Sequence, residues 1–245
     1  MRARVPAGVR ELGLVVALFM VYKAGRLVSG EQLAAALDGA AAVWSLERSL
    51  GLPSELALQQ AVLPHDLLVR AANAYYAWVH FPLTAGTLIW VWFRDRDSYL
   101  WIRRAMTVLT LGALVLHVVA PLAPPRMVSR LGFVDTGEVY GQSVYATDSA
   151  LAGMANQLAA MPSLHVGWAA VVALAVVMIG RSRWRFVALA HPVVTALVVV
   201  VTANHWWLDG IVSLGLLAVA VALVRPAARP AEVAGFRPRA EVALG

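Results

Sequence analysis

The chain has 245 residues, of which 60% are hydrophobic and 14% are charged, and its formal net charge is +6. This composition excludes an ordinary soluble domain, because apolar runs long enough to cross a hydrocarbon core of about 30 Å recur along the sequence. The absence of cysteine excludes disulfides, thiolate metal sites and cysteine nucleophiles. The sequence therefore predicts a polytopic membrane protein.

Six apolar segments are predicted to cross the membrane, so the predicted fold class is an all-α membrane helical bundle. The spans are 11–29, 66–93, 103–121, 164–180, 186–203 and 206–224. With the N-terminus in the cytoplasm, fourteen of the twenty basic residues fall on the cytoplasmic side. By the positive-inside rule both termini are then cytoplasmic, and the predicted location is the plasma membrane. Because the positive charge reports topology, a nucleic-acid partner is not expected.

Two long segments are predicted on the outer side, within a single catalytic domain that covers residues 1–225. Residues 31–64 predict two helices, broken at Gly51 to Pro53, that lie along the membrane interface. Residues 122–162 are too long for a simple connector and are typical of a lid or binding loop. Residues 226–245 are rich in Ala, Pro and Arg, which predicts a flexible cytoplasmic tail.

The stretch MPSLHVGW, residues 161–168, opens the fourth span with a polar motif. Pro162 and Ser163 favour helix starts, and the unpaired amides of a first helical turn bind anions. His165 lies one turn inside such a site, where it can donate a proton to a leaving oxygen. His117, in the outer half of the third span, is a weak candidate to support it.

The stretch TANHWWLDG, residues 202–210, opens the sixth span at the same predicted depth. His205 and Asp209 are four residues apart, so on a helix their side chains share one face. Asp209 can then hold one ring nitrogen of His205 and leave the other free as a nucleophile. Both motifs are predicted at the outer membrane face.

Other polar residues have simpler expected roles. His80 and His191 are expected to hydrogen-bond a neighbouring helix. The tyrosine pair Tyr75–Tyr76 is expected to favour the interhelical core over the lining of a cavity. Glu47 and Glu55, on the interfacial helices, are expected to face solvent.

Together, the two motifs resemble the second and third signatures of the type 2 phosphatidic acid phosphatase superfamily. The resemblance is to the branch that includes the fungal inositol phosphorylceramide synthases. It extends to the six-span layout, the long outer loop and the APPR segment, Ala123 to Arg126. It covers most of residues 65–224.

The resemblance implies a metal-independent lipid phosphate phosphatase or headgroup phosphotransferase that needs no cofactor. His205 would attack phosphorus to form a phosphohistidine, Asp209 would orient it, and His165 would act as acid and then as base. Ser163 and Arg126 would bind the phosphoryl oxygens. The implied substrate is phosphatidic acid, a polyprenyl phosphate or a phosphoinositide-type lipid, with water or an alcohol as acceptor.

Two cations that members of this superfamily usually carry are absent, and Val119 and Val199 stand at those positions. Phosphoryl transfer depends on cations that neutralise the equatorial oxygens. Lys23 and Arg26 are the candidates to replace them, because they share one face of the first span in its outer half. The alternative is that both anchor this span at the outer headgroups.

Two other classes of function stay open. His165, His205 and Asp209 could serve as zinc ligands, which would make the protein a metal-dependent intramembrane hydrolase. The same residues could instead line a passage or tie helices together in a transporter or scaffold. Sensitivity to a chelator separates the metal-dependent enzyme from the metal-independent one.

Overall fold

The structure is a computed structural model that describes residues 8–14, 16–17, 20, 33–141 and 157–224. Every regular element within this part is helical, which confirms the all-α class. The α-helices are α1 (Leu33–Ser49), α2 (Glu55–Val62), α3 (Asp66–Ala74), α4 (His80–Arg94), α5 (Arg96–Val119), α6 (Thr136–Tyr140), α7 (Leu164–Ile179), α8 (Ala190–Val201) and α9 (Trp207–Leu223).

Shorter turns join or extend these helices. A π-helical turn, Tyr75–Val79, joins α3 to α4 without a break. A 3-10 helix, Arg183–Leu189, leads directly into α8. Two further 3-10 turns, Pro125–Met127 and Ser129–Leu131, lie in the long segment between α5 and α7.

Helix α7 is the centre of the bundle, since it contacts α4, α5, α8 and α9. Its residues are apolar on all sides, which is typical of a helix surrounded by other helices. A side chain at Gly167 would collide with Ser213 of α9, so glycine at this position permits the close approach of the two helices. This approach brings the starts of α7 and α9 together.

An apolar cluster joins α1 to the residues that precede α7 and α9. Trp44 of α1 packs against both Phe133 and Trp206, with ring centroids 5.8 Å apart in each case. The buried members are Ala36, Ala40, Leu122, Ala123, Val128, Phe133, Leu158, Ala160, Ala203 and Trp206. Burial of these aromatic rings fixes the position of the turn between α8 and α9.

Helices α1 and α2 pack on the bundle, where α1 contacts α9 and α2 contacts α8. Glu47 and Glu55 are both fully buried in this packing, so the expectation that they face solvent is wrong. Glu55 is paired with Arg48 at 2.9 Å. A buried carboxylate needs such a partner because its desolvation is costly.

Two helical segments are long and apolar enough to cross a membrane by length and composition, Arg96–Val119 and Arg183–Val201. Helices α7 and α9 are apolar but have 16 and 17 residues, or about 25 Å at 1.5 Å per residue. The six-span layout therefore stays a prediction. Helix α5 begins before the predicted boundary at 103, because the Asp95 side chain caps it by accepting from Asp97 N–H at 3.1 Å.

Several predictions fall on other parts of the chain. In the first predicted span, residues 11–14, 16–17 and 20 are described and are helical. Lys23 and Arg26, loop residues 142–156 and the tail 226–245 lie outside the described residues. Their predicted roles, and the division into one catalytic domain and a tail, stay predictions.

Candidate active site

The turn between α8 and α9 places His205 at the start of α9. Helix α8 ends at Val201, and Ala203 has a φ of 53°, a left-handed conformation that few residues other than glycine adopt. The Thr202 hydroxyl accepts from the Asn204 side-chain amide at 2.9 Å. This polar turn therefore stops α8 and directs the His205 ring toward the start of α7.

The predicted contact between His205 and Asp209 is present, with 3.1 Å between Nδ1 and Oδ2. Helix α9 begins at Trp207, so His205 precedes it, and the contact arises from the capping turn rather than from a helix face. The same Asp209 oxygen accepts the Trp206 N–H at 2.9 Å. Asp209 therefore caps α9 and holds the His205 ring at once.

The His205 ring has its tautomer fixed by two acceptors. Its Nδ1 lies 2.8 Å from the Ala160 carbonyl oxygen as well as 3.1 Å from the Asp209 carboxylate. Because a backbone carbonyl can only accept, Nδ1 carries a proton, and in the neutral ring Nε2 is then the nitrogen with the lone pair. Asp209 is fully buried and His205 is 6% exposed. The arrangement gives His205 a nucleophilic nitrogen of defined direction.

His165 lies beside His205, with 6.0 Å between the ring centroids. Ser163 caps α7, because its hydroxyl accepts the Val166 N–H at 3.4 Å. The Ser163 N–H in turn donates to the Asp209 carbonyl at 2.9 Å. The two motifs predicted to meet are thus joined by a backbone hydrogen bond and face each other through their histidines.

The segment before α7 is held from the opposite side by His117. Its Nε2 lies 3.1 Å from the Pro162 carbonyl oxygen and donates to it. His117 is 2% exposed. It therefore supports the backbone of the motif that carries Ser163 and His165, which is the kind of role its position predicts.

Arg126 adjoins the turn that carries His205. Its N–H donates to the Ala203 carbonyl at 3.0 Å, and its Nε donates to the Asn204 side-chain oxygen at 3.1 Å. Its Nη1 lies 3.4 Å from Asp135, and its side chain is 4% exposed. Arg126 is therefore fixed against the His205 turn by groups on two segments, the turn itself and the loop that carries Asp135.

His165 is surrounded by aromatic rings that the sequence did not assign to the site. Tyr76 stacks on it with centroids 4.3 Å apart, and the His80 ring lies 4.7 Å away. The expected hydrogen bond to a neighbouring helix is present for His191, whose Nδ1 lies 2.6 Å from the Tyr75 hydroxyl. His80 has instead an Nδ1 with no hydrogen-bond partner among the described residues.

Glu47 lies on α1, which is outside the predicted spans, and its side chain contacts the start of α9. Its Oε1 accepts the Leu208 N–H at 2.7 Å. Burial and the neighbouring Glu55 carboxyl raise the pKa of Glu47 to about 9. Near neutral pH Glu47 is therefore protonated, and it holds the first turn of α9 as a neutral acid.

Glu47→Gln is expected to raise the thermal stability of the protein at pH 8 to 9, by about 5 °C in Tm. In an unfolded chain the pKa of glutamate is about 4.3. Between that pH and about pH 9 the folded state holds a proton that the unfolded state has lost. The stability from this group is complete below pH 4 and falls as the pH rises toward 9. Glutamine stays neutral and keeps the acceptor for Leu208.

The measurement is Tm in detergent from pH 5 to pH 9 for wild type, Glu47→Gln and Glu138→Gln. Glu138 is exposed, so its substitution serves as the matched control. The Tm of wild type and of the control should decline with pH, and that of Glu47→Gln should decline less. Parallel curves for all three proteins would contradict a buried, protonated Glu47.

Comparison with known proteins gives matches at the level of sequence. The family described as PAP2 superfamily matches residues 41–223. Phosphoinositol dihydroceramide synthase of Bacteroides thetaiotaomicron is 27% identical over 156 residues, which cover 58% of this chain and 50% of that protein. The chain thus spans about half the length of the curated relative it matches. No solved structure gives a significant match.

Proposed function

The chain belongs to the PAP2 superfamily, and from that premise we propose that it is an integral-membrane lipid phosphate phosphatase or headgroup phosphotransferase. We infer that it works through a phosphohistidine. The observation that carries the proposal is that a candidate nucleophile, His205, lies beside a candidate general acid, His165. His205, held by Asp209 at 3.1 Å, lies with its ring centroid 6.0 Å from that of His165.

In the first half-reaction His205 Nε2 attacks the phosphorus atom of the lipid. The P–O bond to the leaving alkoxide breaks as the N–P bond forms, and His165 gives its proton to the alkoxide oxygen. The His205 ring becomes cationic while Nδ1 stays bonded to Asp209 at 3.1 Å. The buried carboxylate therefore stabilises the charge that develops on the nucleophile.

In the second half-reaction His165 is neutral and acts as a base. It takes a proton from water or from an alcohol as the acceptor oxygen bonds to phosphorus and the N–P bond breaks. The proton on His165 is then available for the next leaving group. The cycle is balanced, since His165 releases one proton to the leaving alkoxide and regains one from the acceptor.

Ser163, Arg126 and the first amides of α7 are proposed to bind the phosphoryl oxygens. The helix dipole and the amides of a first turn favour an anion at that end of α7. Arg126 supplies one positive charge beside the His205 turn. Lys23 and Arg26 are proposed to supply the charge that Val119 and Val199 do not.

The site is proposed to face the outer side of the membrane. His165 and His205 lie at the starts of α7 and α9, whereas Arg181 follows the end of α7 and Arg96 begins α5. Basic residues are enriched on the cytoplasmic side of membrane proteins. The arginine-bearing ends are therefore assigned to the cytoplasm, in a six-span protein of the plasma membrane with both termini inside.

Transfer of a headgroup to an alcohol is favoured over hydrolysis by the polar groups around Arg126. Asp135, Gln157 and Asn204 each offer an oxygen to the guanidinium at 3.1 to 3.5 Å. Such groups can also hydrogen-bond a polyol. The matched relative is named a phosphoinositol dihydroceramide synthase, so a phosphoinositide-type lipid is the first substrate to test, before phosphatidic acid and polyprenyl phosphates.

The test uses purified protein in detergent with excess EDTA and lipids labelled in the phosphate. Each lipid is assayed for release of water-soluble phosphate, which is inorganic phosphate from a monoester and headgroup phosphate from a diester, and for transfer of label to a lipid alcohol such as ceramide. Wild type is compared with His205→Ala. We expect EDTA-resistant turnover that the mutation abolishes. Turnover lost in EDTA would support a metal-dependent hydrolase instead, and turnover retained by His205→Ala would exclude a phosphohistidine at His205.

Asp209→Asn is expected to lower kcat by about 10²- to 10⁴-fold while KM and Tm stay close to wild type. The amide oxygen can still accept the Trp206 N–H, so the cap of α9 is kept. The Ala160 carbonyl still holds the proton on Nδ1. The loss therefore measures the missing negative charge rather than a wrong tautomer.

The measurement is kcat, KM and Tm for wild type, Asp209→Asn and Asp209→Ala. Alanine removes the cap as well as the charge. The free energy of unfolding of Asp209→Ala should therefore be lower by about a further 1 kcal/mol, and its Tm should fall accordingly. A kcat for Asp209→Asn near that of wild type would show that the carboxylate does not stabilise the nucleophile.

A further inference from the structure

The π-helical turn Tyr75–Val79 faces the candidate acid His165. A π-turn inserts one extra residue into a helix and is often found at functional sites. Here it lies between α3 and α4 and brings Tyr76 and His80 to the same partner ring. Two rings of one helix thus contact the His165 side chain.

His80 is an unusual residue for this position, because it is 1% exposed and packed among rings. Its centroid lies 4.7 Å from that of His165, 5.9 Å from Trp168 and 6.4 Å from His191. Its Nδ1 has no hydrogen-bond partner among the described residues. A phenyl ring would fill this space without burying a polar atom, so the imidazole indicates a task that needs nitrogen.

His165 has a matching deficiency. Its Nε2 is also buried without a hydrogen-bond partner among the described residues. The two rings are tilted by 44° with centroids 4.7 Å apart, a separation at which a nitrogen of one ring can come within hydrogen-bond distance of a nitrogen of the other. One added proton would satisfy both, because an N–H of one ring could then donate to the lone pair of the other.

We propose that His80 and His165 form a proton-sharing pair that holds the catalytic proton between turnovers, with His80 as a positioning residue. This inference rests on the proposed function. In the second half-reaction the proton leaves the acceptor hydroxyl, binds His165 and is shared with His80. In the next first half-reaction it passes from His165 to the leaving alkoxide as the P–O bond breaks, and both rings are then neutral.

The groups that face this pair are themselves titratable. Tyr76 and His205 face His165 from α3–α4 and from the α8–α9 turn. His191 of α8 faces His80, and its Nδ1 is engaged by the Tyr75 hydroxyl at 2.6 Å. Asp209 contacts His205, which in turn faces His165. His80 Nδ1 and His191 Nε2 both lack a hydrogen-bond partner among the described residues. The His80 ring lies 4.7 Å from that of His165, whereas the His191 ring lies on the far side of the pair, 6.4 Å from that of His80. A proton added near His165 is therefore best accommodated by His80.

The test is the pH dependence of the first half-reaction, measured as single-turnover release of the leaving alcohol. In His80→Phe the shape is kept and the nitrogen is lost. His165 should then lose its proton more readily, so the alkaline limb of the profile should move to lower pH by about one unit. KM should stay within about twofold of wild type.

Trp168→Phe is the matched control, because it alters packing around His80 but leaves both imidazoles in place. The alkaline limb of the pH–rate profile of Trp168→Phe should coincide with that of wild type. A purely structural role for His80 would lower the rate of His80→Phe by one factor at every pH, and this outcome would overturn the proposal. Tm is measured alongside to identify a variant that fails to fold.

His80→Asn gives a second, independent variant. Asparagine can accept a hydrogen bond from protonated His165 but cannot take its proton, so its limb should move in the same direction and by less. An unmoved limb in this variant would also overturn the proposal. His205→Ala is assayed in parallel. If His205→Ala is inactive and the pH profiles of both His80 variants match that of wild type, the proposed proton-sharing pair is rejected and the proposed function is retained. Activity in His205→Ala would mean that the proposed function itself fails.

Discussion

Replacing His205 with alanine is expected to lower kcat by about 10⁴-fold or more, because the substitution removes the proposed nucleophile of the covalent step. The ring contributes one hydrogen bond to the Ala160 carbonyl and one to Asp209. Losing them costs about 1 to 3 kcal/mol of stability. The variant should therefore still fold, and its lower kcat should reflect loss of the chemical step.

The direct measurement is trapping of the covalent intermediate. Wild type is mixed with lipid labelled in the phosphate, without an acceptor alcohol, and quenched at alkaline pH, where a phosphohistidine persists and an acyl phosphate does not. Label should remain on wild type and on His65→Ala, whose histidine is exposed, and be absent from His205→Ala. Label that survives in His205→Ala would assign the nucleophile to another residue.

The local parts of the site could be predicted because each depends on a few consecutive residues. Ser163 as the cap of α7 follows from the preference of serine for helix starts. The contact of His205 with Asp209 follows from their spacing, although the capping turn and not a helix face makes it. The approach of His165 to His205 is not local, and it is predicted only from equal depth in two predicted spans, which the positive-inside rule supplies.

The parts that depend on tertiary packing could not be predicted. A π-turn inserts one residue without any change in composition, so the helical period does not show that Tyr76 and His80 reach His165. Glu47 was expected on a solvated face because a carboxylate on an amphipathic helix usually is. Its burial follows from the contact of α1 with α9, which no feature of residues 31–64 encodes alone.

His165→Gln is expected to lower the rate of the first half-reaction by about 10³-fold for a lipid with an alkoxide leaving group. An alkoxide is a strong base and cannot leave without a proton. A 4-nitrophenolate leaves unprotonated, so an artificial substrate with this group should lose less than about tenfold. The same substitution should thus have very different costs on two substrates.

The burst of leaving-group release is measured for both substrates, so that the second half-reaction, which also needs His165, does not limit the rate. His205→Ala is the reference, since loss of the proposed nucleophile should abolish the burst equally for both substrates. Equal losses for His165→Gln on the two substrates would mean that His165 positions the phosphate rather than protonating the leaving group. A selective loss would identify His165 as the acid, because leaving-group basicity is the property that distinguishes the two reactions.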